Sequence, residues 1–134
     1  NIWHKKRHDN AQILIDKLNN TPVVRIPLPS NSLEHAWYKF YCYLNIDYLS
    51  SGWDRDRIIN EINNKGFPAF HGGCSEIYLE KCFQKSDMYS YSRLPIAKEL
   101  GETSLMFLLH PTIKEDEMQE YAEVIYKVLK NASK

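Results

Sequence analysis

Residues 35–44 read His-Ala-Trp-Tyr-Lys-Phe-Tyr-Cys-Tyr-Leu, and this stretch decides the fold of the chain. In an extended backbone, positions 38, 40, 42 and 44 face one way and positions 37, 39, 41 and 43 face the other. Both sets carry mostly aromatic or apolar side chains, so the pattern predicts a strand over residues 35–44. Such a strand is either buried on both faces, or one of its aromatic faces packs against another domain.

Helical periodicity is present on both sides of this strand. A first helix is predicted over residues 1–18, where apolar residues recur every three or four positions, and Pro22 lies just beyond its end. A second helix is predicted to begin at a cap on Ser51 and to stop at Gly66. The last helix is predicted to start with a capping box at residues 112–115.

Shorter elements are predicted between these helices. They are strands at Val23–Ile26, Phe67–Phe70 and Ser104–Leu109, a short helix from Ser75 to about Phe83, a polar loop over Gln84–Arg93, and a helix over Pro95–Leu100 that Gly101 closes. This order of elements predicts an α/β, two-layer domain. Its sheet is mostly antiparallel, has three to four strands and packs on helices.

Composition excludes several classes of protein. The 134 residues carry 17 Lys and Arg against 17 Asp and Glu, so the net charge is zero, which argues against a nucleic-acid binder. The sequence has no apolar run long enough to span a membrane. The cysteine count of three is odd, which fits a reducing compartment, and a cytoplasmic location is expected. The spacing of His71, Cys74 and Cys82 matches no standard zinc pattern, so no metal is expected.

One short segment carries the candidate binding residues: His71, Gly72, Gly73, Cys74, Ser75 and Glu76. Two glycines allow a ligand to approach the backbone closely. Ser75 stands where a helix is predicted to begin, and the free N–H groups of a first helical turn favour an anion such as phosphate. His71 is able to donate to a sugar hydroxyl or an oxyanion. The alternative is a plain turn between a strand and a helix, with Ser75 acting only as a cap.

Four stretches of the chain resemble one known family. Residues 7–18 look like a helix that bridges two domains, and residues 35–40 (His-Ala-Trp-Tyr-Lys-Phe) look like the strand that opens a small C-terminal domain. Residues 66–81 resemble its second strand and active-site loop, and residues 94–112 are similar to the stretch before its last helix. The family is the DegT/DnrJ/StrS group of pyridoxal-phosphate-dependent sugar aminotransferases.

The resemblance implies a function for a longer protein. That protein would transfer an amino group from an amino acid, expected to be glutamate, to a keto sugar linked to a nucleotide, and it would be a homodimer. The resemblance places the substrate against residues 71–76 and also against His35. It further implies that residues 1–19 form the bridging helix and residues 20–134 the small domain.

The same resemblance implies what this chain lacks. In the family, the cofactor lysine, the carboxylate at the pyridine nitrogen and most phosphate ligands belong to a large domain, to which nothing here corresponds. The chain alone is therefore expected to bind no pyridoxal phosphate and to be inactive. Many members carry Tyr-Pro after the histidine that matches His71, whereas Gly72-Gly73 follows here. The resemblance therefore does not identify the sugar substrate. The alternative is a stand-alone, non-catalytic α/β module that binds a ligand or a protein.

Overall fold

The computed structural model describes residues 2–83 and 92–134. In chain order the helices and strands are α1 (Ile2–Leu18), β1 (Val24–Arg25), β2 (Lys39–Leu44), α2 (Arg55–Asn64), β3 (Ala69–Phe70), α3 (Pro95–Thr103), β4 (Ser104–Leu108) and α4 (Glu115–Ala132). Two short 3₁₀ turns lie at Ile46–Tyr48 and Ile77–Leu79. Most of the loop predicted over Gln84–Arg93 lies outside the described residues.

The four strands form one antiparallel sheet in the order β1-β2-β4-β3. The central pair is β2 and β4, in which Phe40 lies opposite Phe107 and Tyr43 lies opposite Ser104. Strand β3 pairs with the outer side of β4, so the loop that follows Phe70 leaves from the sheet edge beside Met106. The predicted α/β class and the antiparallel sheet are therefore confirmed.

The core lies between the sheet and a layer made of α1, α2 and α4. Phe40, Cys42 and Leu44 of β2 point into it, and all three are buried. Phe107 packs against Phe40 on one side and edge-on against Tyr121 of α4 on the other, with ring centroids 6.4 and 6.0 Å apart. The opposite face of the sheet carries Lys39, Tyr41 and Tyr43, which are only half-buried, and α3 lies against part of it.

The predicted strand over residues 35–44 starts four residues late, and the reason is Trp37. Its backbone adopts a left-handed conformation with φ of 48°, which turns the chain before Lys39. The alternation predicted for Trp37 and Tyr38 is therefore reversed. Trp37 is buried and stacks on Phe40 at 5.7 Å, whereas Tyr38 points outward and is 79% exposed.

Both predicted caps are misplaced by two or three residues. The cap of α2 is Asp54 rather than Ser51, because the Asp54 carboxylate accepts the Arg57 N–H at 2.7 Å. At the start of α4, the N–H of Lys114 donates to Glu117 at 2.9 Å. Thr112 instead hydrogen-bonds the ring of His110 at 2.7 Å. The predicted stop at Gly66 is supported by its φ of 88°.

Candidate functional site

Residues 71–76, here called the site loop, lie against the open face of the sheet. The hydroxyl of Ser104 donates to the His71 carbonyl and joins the loop to β4. Gly72 has φ of 99°, and a Cβ there would be 3.0 Å from the Tyr41 ring and 3.1 Å from Ser104 Oγ. Both the backbone angle and the space require glycine at this position. The loop is thus fixed on the sheet at its first two residues.

Ser75 does not cap a helix, so the helix predicted to begin there is wrong and the N–H groups of a first helical turn are not available at Ser75. A 3₁₀ turn of three residues follows the loop, and it receives no side-chain cap. Ser75 instead packs on Gly101, where an added Cβ would overlap the Ser75 hydroxyl. Gly101 lies inside α3 and does not close it, contrary to the sequence prediction. Its missing side chain lets the loop approach the helix.

Glu76 ties the site loop to the chain just before α3. Its carboxylate accepts the Nε of Arg93 at 2.9 Å and the hydroxyl of Tyr78 at 2.7 Å, and a second Arg93 nitrogen reaches its other oxygen. These bonds, those from Arg93 foremost, lower the pKa of Glu76 to about 2. Tyr78 in turn accepts the N–H of Leu94 at 2.8 Å. The sequence pattern did not indicate either partner of Glu76. Arg93 is 17 positions away, a separation that no local pattern pairs, and Tyr78, only two positions away, was not singled out as a partner.

The imidazole of His71 is held at the surface by Asp56. Its Nε2 lies 3.1 Å from the Asp56 carboxylate, and the His71 side chain is 58% exposed. Arg55 also donates to Asp56, at 3.0 Å, and this bond is the main reason that the pKa of Asp56 is lowered. Another nitrogen of Arg55 donates to the carbonyl of Gly101. His71 thus sits in a charged cluster at the start of α2 and has an open side toward solvent.

The two cysteines of this region, Cys74 and Cys82, are both exposed. The thiol of Cys74 donates to Glu80 at 3.1 Å, and this bond raises the Cys74 pKa, which keeps the thiol protonated. Cys82 is exposed and free. Across residues 2–83 and 92–134, no three His, Cys, Asp or Glu side chains are grouped so that they could hold a metal ion.

A cleft of about 680 Å³ opens between the site loop, the sheet and α3, and it is here called the loop cleft. Its lining residues are Tyr41, Tyr43, Gly73, Cys74, Ser75, Leu94, Ile96, Ala97, Leu100 and Ser104. None of these residues carries a charged side chain. The two tyrosines offer ring faces and hydroxyls, while α3 offers aliphatic surface. This chemistry suits a neutral ring with hydroxyl groups better than an anion.

The structure places Gly73, Cys74 and Ser75 on the lining of the loop cleft, whereas His71, Gly72 and Glu76 belong to the site loop but not to that lining. His35, in contrast, lies in a separate depression together with His8 and Leu28. Its Nδ1 accepts the N–H of Trp37 at 2.9 Å, and its ring lies against that indole. In this structure His35 supports the turn before β2 and does not line the loop cleft.

Comparison with known proteins gives the same family over most of the chain. The model of the DegT/DnrJ/EryC1/StrS aminotransferase family matches residues 1–126. The chain superposes on an aminotransferase from Psychrobacter cryohalolentis with a TM-score of 0.89 and 43% identity, over 97% of this chain and 35% of that one.

More distant matches cover nearly the same part of the chain. The GDP-4-keto-6-deoxy-D-mannose-3-dehydratase of E. coli, solved with bound hydrated PLP, matches with a TM-score of 0.75 and 18% identity, over 96% of this chain and 31% of that one. The uncharacterized protein MJ1066 of Methanocaldococcus jannaschii is 21% identical over 96% of this chain and 32% of its own length. The chain therefore spans about a third of the relatives that it matches.

In the described part of the chain, no helix combines the length and the hydropathy that crossing a membrane requires.

Proposed function

The chain belongs to the DegT/DnrJ/EryC1/StrS aminotransferase family, and from this premise we propose that it is the small C-terminal domain of a larger transaminase. In the overall exchange, glutamate gives up its amino group and becomes 2-oxoglutarate, while the carbonyl of a nucleotide-linked keto sugar becomes an amine. The Psychrobacter neighbour, which is named an aminotransferase, supports the reaction. The dehydratase neighbour, which is named for a GDP-linked keto sugar, supports the substrate class.

Pyridoxal phosphate is the cofactor that this proposal requires, and the loop cleft does not fit it. A site for this cofactor needs a lysine amine for the Schiff base and a charged partner for the pyridine nitrogen. The lining of the loop cleft contains neither a lysine nor a carboxylate, and Ser75 does not begin a helix that could cradle a phosphate. We therefore assign the cofactor to a large domain outside these 134 residues, and we expect this chain alone to be inactive.

The loop cleft is the observation that carries our assignment of the substrate wall. It joins the loop that the family resemblance singles out to two half-buried tyrosines of β2, Tyr41 and Tyr43. Aromatic rings beside hydroxyl groups bind a sugar ring through its apolar face and its hydroxyls. Since no charged side chain lines the cleft, the sugar is the part of the substrate that it suits.

His71 is proposed to contact the substrate from the rim of this cleft. Its carbonyl accepts a hydrogen bond from Ser104 and its ring pairs with Asp56, so the range of orientations open to the imidazole is restricted. Such preorganisation reduces the entropy lost when a ligand binds. That the longer protein is a homodimer remains a prediction from the family resemblance, and a cytoplasmic location remains a prediction from the odd cysteine count.

The test is a kinetic comparison in the longer protein that contains this domain. His71→Ala and Ser75→Ala are each compared with wild type for production of 2-oxoglutarate from glutamate with a nucleotide-linked keto sugar. We expect kcat/KM to fall by at least about tenfold for His71→Ala, which corresponds to roughly 1.4 kcal/mol of lost transition-state binding. The thermal midpoint should change by only a few degrees, because the side chain is exposed.

His8→Ala is the matched control, because His8 is also exposed and lies away from the loop cleft. Wild-type kinetics in both His71→Ala and Ser75→Ala would show that the site loop is only a turn. No amino transfer by the wild-type longer protein, with binding of a ligand intact, would favour the non-catalytic module instead.

A further inference from the structure

The pair formed by His71 and Asp56 decides which nitrogen of the imidazole carries a proton. The Nε2 atom of His71 lies 3.1 Å from Oδ1 of Asp56, although the two residues are 15 positions apart. Asp56 is in the first turn of α2, and His71 opens the site loop directly after β3. The packing of α2 against β3 therefore forms the pair.

The Asp56 side chain is only an acceptor in this pair. Arg55 donates its Nε to the same Oδ1 atom at 3.0 Å, and this bond is the main reason that the pKa of Asp56 is lowered from its ordinary value of 3.8. The group is therefore a carboxylate at neutral pH, and a carboxylate has no proton to donate. It follows that the hydrogen between Asp56 and His71 belongs to Nε2.

The other ring nitrogen, Nδ1, is thereby left as a hydrogen-bond acceptor. A neutral imidazole has one N–H group and one lone pair, so a proton on Nε2 leaves the lone pair on Nδ1. Within residues 2–83 and 92–134, no hydrogen bond is made to Nδ1 of His71, whose side chain is 58% exposed. The carbonyl of the same residue accepts the Ser104 hydroxyl. Nδ1 is thus an acceptor on a residue that is held at two points.

Arg55 connects this pair to the helix that lines the loop cleft. Besides Asp56, it donates to the carbonyl of Gly101 in α3, at the point where Ser75 packs. The Arg55 side chain is only 21% exposed, so most of it is shielded from solvent. The carboxylate that holds the His71 ring and the helix on the other side of the cleft therefore share one anchor.

We propose that Asp56 is a positioning residue that fixes the tautomer of His71, with the proton on Nε2 and with Nδ1 offered to the substrate as the acceptor for a hydroxyl group. The inference rests on the proposed function for the identity of the substrate, since a sugar carries such hydroxyl groups. The direction of this hydrogen bond differs from the sequence expectation, in which His71 donates to the hydroxyl. The tautomer itself requires no amino transfer.

The tautomer is measured by heteronuclear NMR of the imidazole nitrogens in this chain. The signals of His71 are assigned by their loss in His71→Gln. At a pH where the spectra show a neutral ring, we expect the Nε2–H form to dominate in the wild-type chain. Asp56→Ala should raise the fraction of the Nδ1–H form at least about twofold, which is the scale of effect that an exposed pair produces.

Asp116→Ala is the matched control for this measurement. Asp116 is an exposed carboxylate in the first turn of α4, as Asp56 is in the first turn of α2. Both variants therefore lose the same favourable interaction with a helix N-terminus. Only Asp56→Ala should change the tautomer of His71, and circular dichroism of each variant verifies that the helices are intact.

Kinetics of the longer protein connect the tautomer to the substrate. Asp56→Ala should lower kcat/KM at least about threefold by itself and less than about 1.5-fold in a His71→Ala background, because a positioning residue acts through the side chain that it holds. His71→Asn keeps a polar atom near the place of Nδ1, whereas His71→Gln keeps one near the place of Nε2. We expect His71→Asn to retain a kcat/KM at least about threefold higher than His71→Gln.

Three results would overturn the proposal. They are a tautomer ratio that Asp56→Ala changes no more than Asp116→Ala does, an equal loss of kcat/KM from Asp56→Ala with and without the His71 ring, and a His71→Gln variant at least as active as His71→Asn. A tautomer that depends on Asp56, in a longer protein that transfers no amino group, would refute the proposed reaction and leave the positioning of His71 by Asp56 in place.

Discussion

Gly101→Ala probes the contact that fixes the site loop on α3. Within a helix, this change normally stabilises a protein by about 0.8–1 kcal/mol, because alanine has the higher helix propensity. Here the new Cβ would overlap the Ser75 hydroxyl and lie 3.1 Å from Ser75 Cβ. Overpacking of this kind costs about 1–3 kcal/mol. The middle of the overpacking cost, about 2 kcal/mol, exceeds the gain in helix propensity by about 1 kcal/mol. We therefore expect Gly101→Ala to destabilise the protein by about 1 kcal/mol.

A double-mutant cycle with Ser75→Gly isolates this contact. Without the Ser75 side chain, the clash disappears, and Gly101→Ala should then show its usual gain of about 0.8–1 kcal/mol. The expected coupling energy is therefore about 2 kcal/mol between two residues in direct contact. The assay is urea unfolding of the four proteins, followed by circular dichroism and tryptophan fluorescence.

Equal stabilisation by Gly101→Ala, whether residue 75 is serine or glycine, would refute the expected clash. Such a result would mean that the site loop does not pack on α3. A change in the slope of the unfolding free energy against urea concentration would instead indicate an altered unfolded state. The free energies of the four proteins would then be compared with one common slope.

Two further predictions concern titratable groups. The pKa of Glu76 is lowered to about 2, so the stability from its pairing with Arg93 should be complete above the ordinary value of 4.5 and be lost as the pH falls toward 2. Urea midpoints from pH 6 to 2 should show this loss in wild type and not in Glu76→Gln, and parallel profiles would contradict it. Burial raises the pKa of the Cys42 thiol to about 12, so a maleimide should label Cys74 and Cys82 in the folded protein and Cys42 only after unfolding. Mass spectrometry of the labelled peptides checks this order, and equal labelling rates would refute the assignment of Cys42 to the core.

Sequence periodicity was sufficient to predict the elements that have one face in the core and the other toward solvent. The stripe of α4, from Met118 to Leu129, and the alternation of Phe40 and Cys42 in β2 appear in the structure as predicted. Each pattern depends on one element and on the fixed geometry of its backbone, so it can be recognised without knowledge of what packs against it. The family resemblance was likewise carried by the order of motifs along the chain.

The positions that sequence reasoning placed wrongly depend on neighbours distant in the chain. Gly101 was predicted to end a helix, yet it lies inside one, where its missing side chain leaves the space that Ser75 occupies. Ser75 was predicted to cap a helix, yet the residues after it form only a 3₁₀ turn. A glycine that permits a turn and a glycine that permits a close approach look identical in the sequence.

By itself the sequence determined the order of helices and strands, the buried stripe of each and the loop that carries His71, because these follow from local chain geometry and from burial of apolar side chains. Tertiary structure decided that Glu76 meets Arg93, that Tyr38 faces outward while Trp37 is buried, and that the site loop, the sheet and α3 together line one cleft. These features arise when separate elements dock, since the residues that meet are 17 or more positions apart or depend on one left-handed backbone angle. No local sequence pattern encodes contacts between such distant residues.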